Sequence, residues 1–223
     1  MAAEIAHTFL TSAGEHSTPR ARGANRDEAI AALVSRTRAG DAAAFDELMM
    51  ATERKVVATA WRLLGDREDA RDAAQEVYLR VFKYLGRFRE GEDFQAWLYR
   101  ITVNVCRDAA RKSRPAGAGG APITRVDLRD GLRAGESASS EPEAEGDALR
   151  SQRRELLRRA LDTLPERERA AVVLRDLEGL STEEVARILH TRPVTVRSQI
   201  SSARAKLKIY CDRLTRRTGG DAR

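Results

Sequence analysis

Cysteine is nearly absent from this 223-residue chain. Cys106 and Cys211 form no CxxC pair and stand far apart, which excludes a disulfide scaffold and a structural zinc site. Histidine is as scarce: His7, His16 and His190 form no cluster. There is no glycine-rich phosphate loop and no Ser/His/Asp or metal constellation, so the chain is not expected to be an enzyme, to hold a cofactor or to take a small-molecule substrate. Aromatic residues make up 5%, low for a β-sandwich or barrel, while Ala, Arg, Leu and Glu abound, so the composition leans helical. No run approaches the ~18 apolar residues of a membrane span. Glu4 falls early and no basic segment precedes the short apolar stretch, so the N-terminus does not read as a secretory signal. The expectation is a soluble, cytoplasmic protein without membrane insertion.

What is present is basic charge, unevenly placed. Net charge is +6, with residues 41–112 at 0, residues 113–148 at −3 and residues 149–223 at +8. From Arg187 onward there are ten basic residues against only Asp212 and Asp221. Such a skew predicts a polyanionic partner for the C-terminal end, the plainer alternative being a solvated helix face with a basic tail.

The order of elements follows from periodicity. Residues 1–25 mix Ser, Thr, Gly, His and Arg without apolar period and are expected to be disordered. Phe45, Leu48, Met49, Val56, Ala60 and Leu63 recur at helical spacing up to Gly65. Asp66 is placed to cap a second helix, with Ala70, Ala73, Ala74, Val77, Val81 and Leu85 as its buried stripe. A third helix carries Phe94, Trp97, Leu98, Ile101 and Val105 and ends before Pro115. Residues 113–148 hold three prolines and six glycines without period and read as an acidic linker. Beyond it come a helix with Leu149, Leu156, Leu157, Ala160, Leu161 and Leu164, a helix over 166–178 stopping at Gly179, a capping box at Ser181–Glu184, and a last helix opened by Pro193. The fold class is therefore all-α: two small helical domains, 26–112 and 149–214, joined by a flexible linker and followed by a basic tail over 215–223.

The capped short helix, the turn at His190, Thr191 and Arg192, and the helix after Pro193 make a helix-turn-helix pattern. Its last helix turns Val196, Ile200, Ala203 and Leu207 inward and Arg197, Ser198, Gln199, Ser201, Ser202 and Lys206 outward. Short hydroxyl and amide groups reach base edges, and Arg and Lys neutralise phosphates. An ordinary helical hairpin matches the apolar spacing equally well but leaves the basic excess without a reason.

Leu164-Pro165-Glu166-Arg167-Glu168-Arg169, Gly179-Leu180-Ser181-Thr182-Glu183-Glu184-Val185-Ala186 and Thr195-Val196-Arg197-Ser198 resemble the C-terminal domain of bacterial sigma factors of the extracytoplasmic-function (ECF) group. Residues 66–78 (DREDARDAAQEVY) are similar to that family's core-polymerase-binding helix, and residues 94–104 (FQAWLYRITVN) to its promoter-melting helix. His190, Thr191, Val194 and Gln199 depart from what the family most often carries there, which touches the promoter sequence preferred rather than the mode of docking.

The resemblance implies a region 2-like and a region 4-like domain in a transcription initiation factor. Its partners would be core RNA polymerase through clamp and flap regions, promoter DNA and an anti-sigma factor. It implies core-polymerase contacts at Asp69, Asp72, Gln75 and Glu76, for which the pattern alone equally allows a solvated helix face with Glu76 supporting Arg80. Minus-ten contacts would fall to Arg87, Phe88, Asn104, Arg107, Arg111 and Lys112. Minus-thirty-five contacts would fall to Arg192, Thr195, Arg197, Ser198, Gln199, Ser201, Ser202 and Lys206. Trp97 is expected in the core and Cys106 is expected to be buried and inert. The resemblance also suggests that the linker threads the polymerase toward the RNA exit path, against the plainer reading of a soluble spacer. The alternative function is a stand-alone helix-turn-helix regulator, which explains residues 149–214 but gives residues 66–104 no purpose.

Overall fold

A computed structural model describes the backbone of residues 20–89, 91–112 and 144–219, and the side chains of 27–89, 91–112 and 149–216. All regular structure among these residues is helical. The helices are α1 (Arg20–Arg38), α2 (Ala42–Leu64), α3 (Arg67–Tyr84), α4 (Phe94–Lys112), α5 (Ala144–Asp162), α6 (Glu166–Val172), α7 (Thr182–Ile188) and α8 (Pro193–Gly219). A 3-10 turn, Leu85–Arg87, follows α3, and a π-helical turn, Val173–Leu177, follows α6.

The caps sit where the side chains dictate. Asp41 accepts the Ala44 amide and opens α2; Gly65, at φ 81°, closes it by donating its amide to the Trp61 carbonyl at 2.8 Å. Asp66 accepts from the amides of Glu68 and Asp69 and starts α3. The expected α3 stripe of Ala70, Ala73, Ala74, Val77 and Val81 is buried with Leu85. This stripe packs on Leu48, Val56 and Ala60 of α2 and on Phe94, Leu98, Val105 and Cys106 of α4. Phe88, Phe94 and Trp97 close the end of this bundle with ring centroids 5.4 to 5.6 Å apart.

Two helix boundaries differ from the periodicity. The stretch expected to be disordered to residue 25 already contains the start of α1 at Arg20; among its described side chains α1 fully buries Ile30 and Val34 on the bundle, too sparse a pattern to register as a period. Likewise α5 begins at Ala144, inside the segment assigned to the linker. The rest of that linker, with its proposed path toward RNA, lies outside the described residues, as do residues 1–19 and the end of the basic tail.

The second unit has its own core: Ala160 and Leu161 of α5 and Leu164 just after it meet Val172 and Val173 and, from α8, Ala203 and Leu207. A further cluster belongs to neither domain alone. Tyr99 and Val103 of α4 pack with Ala170, Ala171, Leu174, Val185, Ile188, Leu189, Val196 and Ile200, so the two domains share a continuous apolar seam.

Candidate nucleic-acid and polymerase interfaces

On α3, Asp72 and Gln75 are exposed, and the same face continues one and two turns on into Leu79 and Phe82, exposed by 66% and 70%. Met50 of α2 is exposed as well, and Phe82 makes an edge contact with Phe45 at 5.3 Å between centroids. Asp69 is half-buried beside this row. Glu76 faces away from it, holding Arg80 at 2.8 Å, while Arg80 also reaches Asp108 of α4. The acidic pattern thus marks the face but not its apolar part. Leu79 and Phe82 break the buried stripe's spacing, and that break was the available signal.

On α4, Asn104 and Arg107 are half-buried and, with Arg111, line a cleft of about 690 Å³ between the domains. The opposite wall carries Arg167, Leu189, His190, Thr191 and Gln199. Arg107 approaches Glu166 at 3.7 Å. Arg111 bonds Asp108, and that bond, ahead of one from Arg80, holds the Asp108 carboxyl below the usual carboxylate range. Lys112 is exposed at the helix end and Arg87 lies 5.5 Å from the Tyr84 ring centre. Phe88, expected as a minus-ten contact, is instead 7% exposed, pinned between Phe94 and Trp97, and therefore a core ring. Trp97 packs against the same core. Cys106 is buried, and burial pushes its thiol up to about 12, so it carries no thiolate at neutral pH.

The helix-turn-helix forms as the capping box requires: Ser181 accepts the Glu184 amide at 3.2 Å while its own amide donates to the Glu184 carboxylate at 2.7 Å. His190 holds the left-handed conformation, φ 52°, and the Thr191 amide reaches back to the Ala186 carbonyl at 3.0 Å. This is a Schellman-type stop with histidine where glycine is the easier residue.

Val196, Ile200, Ala203 and Leu207 of α8 are buried as expected. The outward side divides. Arg192, Arg197, Ser198 and Ser201 are exposed, in one row with Val194, which is 64% exposed and which polarity alone does not mark as a contact. Ser202 and Lys206 instead turn toward α6, where Glu168 accepts from Ser202 at 3.1 Å and from Lys206 at 2.7 Å. Arg204 makes a paired contact with Asp176 at 2.7 and 3.0 Å. Thr195 is half-buried, and Gln199 faces the interdomain cleft. Glu168 and Asp176 thereby absorb part of the basic excess that the sequence assigned to DNA.

Among the described residues, no group of three or more His, Cys, Asp or Glu is disposed to hold a metal, and no helix is long and apolar enough to cross a membrane.

Comparison with known proteins agrees with this division. The Sigma-70 region 2 family matches residues 48–115 and the Sigma-70 region 4 family matches residues 154–207. RNA polymerase sigma-H factor of Pseudomonas aeruginosa is 35% identical over 176 residues, covering 77% of this chain and 88% of that protein. ECF RNA polymerase sigma-E factor of Escherichia coli K12 is 33% identical over 189 residues, covering 83% and 95%. In fold, the chain is similar to CnrH, solved in complex with the cytosolic domain of CnrY. The TM-score is 0.59 and the identity 23%, over 82% of this chain and 97% of that one.

Proposed function

The chain belongs to the ECF sigma factors, and we propose that its α3 face docks core RNA polymerase, α4 opens the minus-ten element and the outer row of α8 reads the minus-thirty-five element. It is a transcription initiation factor that directs core RNA polymerase to promoters, not an enzyme, and works in the cytoplasm with the polymerase.

The observation that carries the residue-level reading is the pairing of two unlike surfaces on one chain. One is an apolar and acidic row, Asp72, Gln75, Leu79 and Phe82, suited to a protein with a basic and apolar face. The other is a basic and hydroxyl row, Arg192, Arg197, Ser198 and Ser201, suited to a DNA groove. On α4, the Asn104 amide can pair with an unstacked base, while Arg107, Arg111 and Lys112 neutralise phosphates of the opened strand. Lys206 and Ser202, tied to Glu168, are left to brace α8 against α6. A stand-alone helix-turn-helix regulator is not favoured, because residues 48–115 match region 2.

Two solved relatives of the same fold are described as bound to the cytosolic domain of CnrY and to the anti-sigma factor NepR. The same class of partner, a protein that covers the polymerase- or DNA-facing rows, is the inhibitor proposed here. In vitro transcription with purified core polymerase on a promoter library tests the reading. Specific initiation that depends on this chain is expected, and transcription indifferent to it would refute the assignment.

A further inference from the structure

The cleft between the domains holds more hydrogen-bonding capacity than the protein itself uses. It measures about 690 Å³, in the upper half of the range that small ligands occupy, ~300–1,000 Å³. Both walls are cationic. Arg80 of α3 and Arg107 and Arg111 of α4 stand on one side and Arg167 of α6 on the other, against two carboxylates, Asp108 and Glu166. Four arginines less two carboxylates leave an excess of two positive charges. Asp108 accepts from both Arg80 and Arg111. Arg107, in contrast, stands 3.7 Å from Glu166, beyond hydrogen-bond distance, and Arg167 is exposed. Each domain thus presents one guanidinium fork, Arg107 or Arg167, able to grip phosphate oxygens in pairs.

Beside these cations is an acceptor with nothing to accept. Gln199 lines the same cleft, and its Oε1 is buried without a hydrogen-bond partner in the protein. A site for a bare anion has no use for such a group, because the oxygens of an anion are themselves acceptors. It calls for a ligand that carries N–H or O–H donors as well as negative charge. Among the described residues Leu189 is the one apolar side chain on the lining, so an acyl chain finds no wall there. The turn adds Thr191 and His190, the latter at φ 52°. Glycine adopts that left-handed conformation more readily, but only a side chain supplies an imidazole to the cleft.

We propose that the interdomain cleft binds a nucleoside triphosphate: Arg107 and Arg167 hold its phosphates from opposite walls, and Gln199 Oε1 accepts a hydrogen bond from its base or ribose. A free phosphate would leave Gln199 unpaired and most of the volume to water. A nucleoside alone would leave the guanidinium groups to water. With one magnesium ion on its phosphates, the triphosphate carries about two negative charges, matching the excess of the lining. The ligand is held rather than converted, since both carboxylates of the cleft face arginines and neither stands free as a base. Binding rests on the cleft alone and goes beyond the sigma-factor reading.

The test is isothermal titration calorimetry of the full chain, without polymerase or promoter. The probes are magnesium ATP, magnesium GTP, adenosine, and inorganic triphosphate with the same magnesium. ATP or GTP should bind at one site per chain, with a dissociation constant in the range of metabolite sites, ~1 μM–1 mM. Inorganic triphosphate should bind several-fold more weakly, and adenosine should give no measurable heat. Gln199→Leu should bring nucleotide affinity down to that of inorganic triphosphate and leave inorganic triphosphate as in the wild type, which also shows that the variant folds. Arg107→Gln and Arg167→Gln, one on each wall, should each weaken nucleotide binding by about tenfold or more, the loss of a charge-assisted hydrogen bond. Arg213→Gln removes the same charge from an exposed position outside the cleft and should change nothing. Circular dichroism of all the variants should match the wild type. No binding of either nucleotide up to ~1 mM, equal affinity for nucleotide and inorganic triphosphate, or an equal loss in Arg213→Gln would each overturn the site. None of these measurements involves transcription, so a failed promoter assay would refute the sigma-factor reading and leave the site standing.

Discussion

In the first domain the core is pinned by rings, Phe88 against Phe94 and Trp97 with Trp61 and Tyr78 packed alongside; in the second it is built almost wholly from Ala, Val, Leu and Ile. The surfaces diverge further. Residues 41–112 carry no net charge and expose Met50, Leu79 and Phe82, whereas residues 149–223 carry +8 and lace their helices with ion pairs. Net charge alone overstates what the second domain offers to DNA. Asp176, with a fully buried side chain, holds Arg204, and Glu168 holds Lys206. Glu155, drawn down to about 2 chiefly by its hydrogen bond from Arg158, joins Arg158 and Arg159. Asp176 and Glu168 neutralise basic residues that come from another helix, and Glu155 neutralises two along its own. What is left for DNA is the outermost row of α8, where Arg197 has only a long, exposed contact to Glu183. The difference teaches that one domain advertises itself by misplaced apolar residues and the other by basic ones left on its outer face.

That contrast breaks first, and by the largest margin, at Phe82. If the exposed row on α3 is a docking surface, Phe82→Asp places a charge in its centre. It should reduce association with core polymerase by at least about thirtyfold, as for an interface hot spot of ~2 kcal/mol. Binding of the free chain to a minus-thirty-five duplex should not change. Titration of labelled core polymerase measures the first and duplex anisotropy the second. Retained core binding would reduce Leu79 and Phe82 to incidental exposure.

The second domain is probed by two substitutions on one helix. Arg197 is 64% exposed and 3.5 Å from Glu183, a contact too exposed and long to compete with DNA. Arg197→Ala should weaken duplex binding by about 1 to 3 kcal/mol if the side chain reads a base. Lys206→Ala should leave sequence preference intact and lower the unfolding free energy by about 1 kcal/mol through the lost contact to Glu168. The wild type itself should lose affinity steeply with salt, each neutralised phosphate contributing about −0.9 to the slope of log affinity against log salt. Equal effects of the two substitutions on duplex binding would erase the distinction between outer and inner rows.

Much of this architecture was legible in residue order because it depends on local rules. Asp66, the Ser181–Glu184 capping box and Gly65 act within one turn of themselves, and the α3 stripe needs only a period. What local reading missed depends on contacts distant in sequence. Phe88 looks like a loop aromatic beside Arg87, and only the approach of Phe94 and Trp97 makes it core. Lys206 and Ser202 point outward on a helical wheel, yet Glu168, 38 and 34 residues earlier, claims them. Glu178 has no local signal at all, since the Tyr99 and Thr59 hydroxyls that donate to its carboxylate lie 79 and 119 residues away.

A smaller effect is expected where α4 meets the cleft. Asn104→Ala should leave assembly with core polymerase intact and reduce transcription from duplex templates by about tenfold, the value of one well-placed hydrogen bond of ~1.4 kcal/mol. A pre-melted bubble should restore part of the loss, because the side chain would meet bases only after they unstack. Undiminished activity on duplex would return Asn104 to a plain position on the cleft wall, and with it the claim that the first domain touches DNA through α4.

The finest test concerns Val194, the apolar member of an otherwise polar row. A 64% exposed valine one residue into α8 gains nothing from water, and the first turn of a recognition helix is the part that enters the major groove. There the one apolar feature of a base pair is the thymine methyl. One buried methyl-sized contact is worth about 0.8 kcal/mol, or about fourfold in affinity. Replacing thymine by uracil throughout the minus-thirty-five duplex removes that methyl and leaves every hydrogen-bonding edge in place. The wild type should then bind up to about fourfold more weakly, and Val194→Ala should bind both duplexes alike, at the weaker level. Wild-type affinity indifferent to uracil would mean that Val194 reads no thymine, and the outer row of α8 would distinguish bases through Arg197, Ser198 and Ser201 alone.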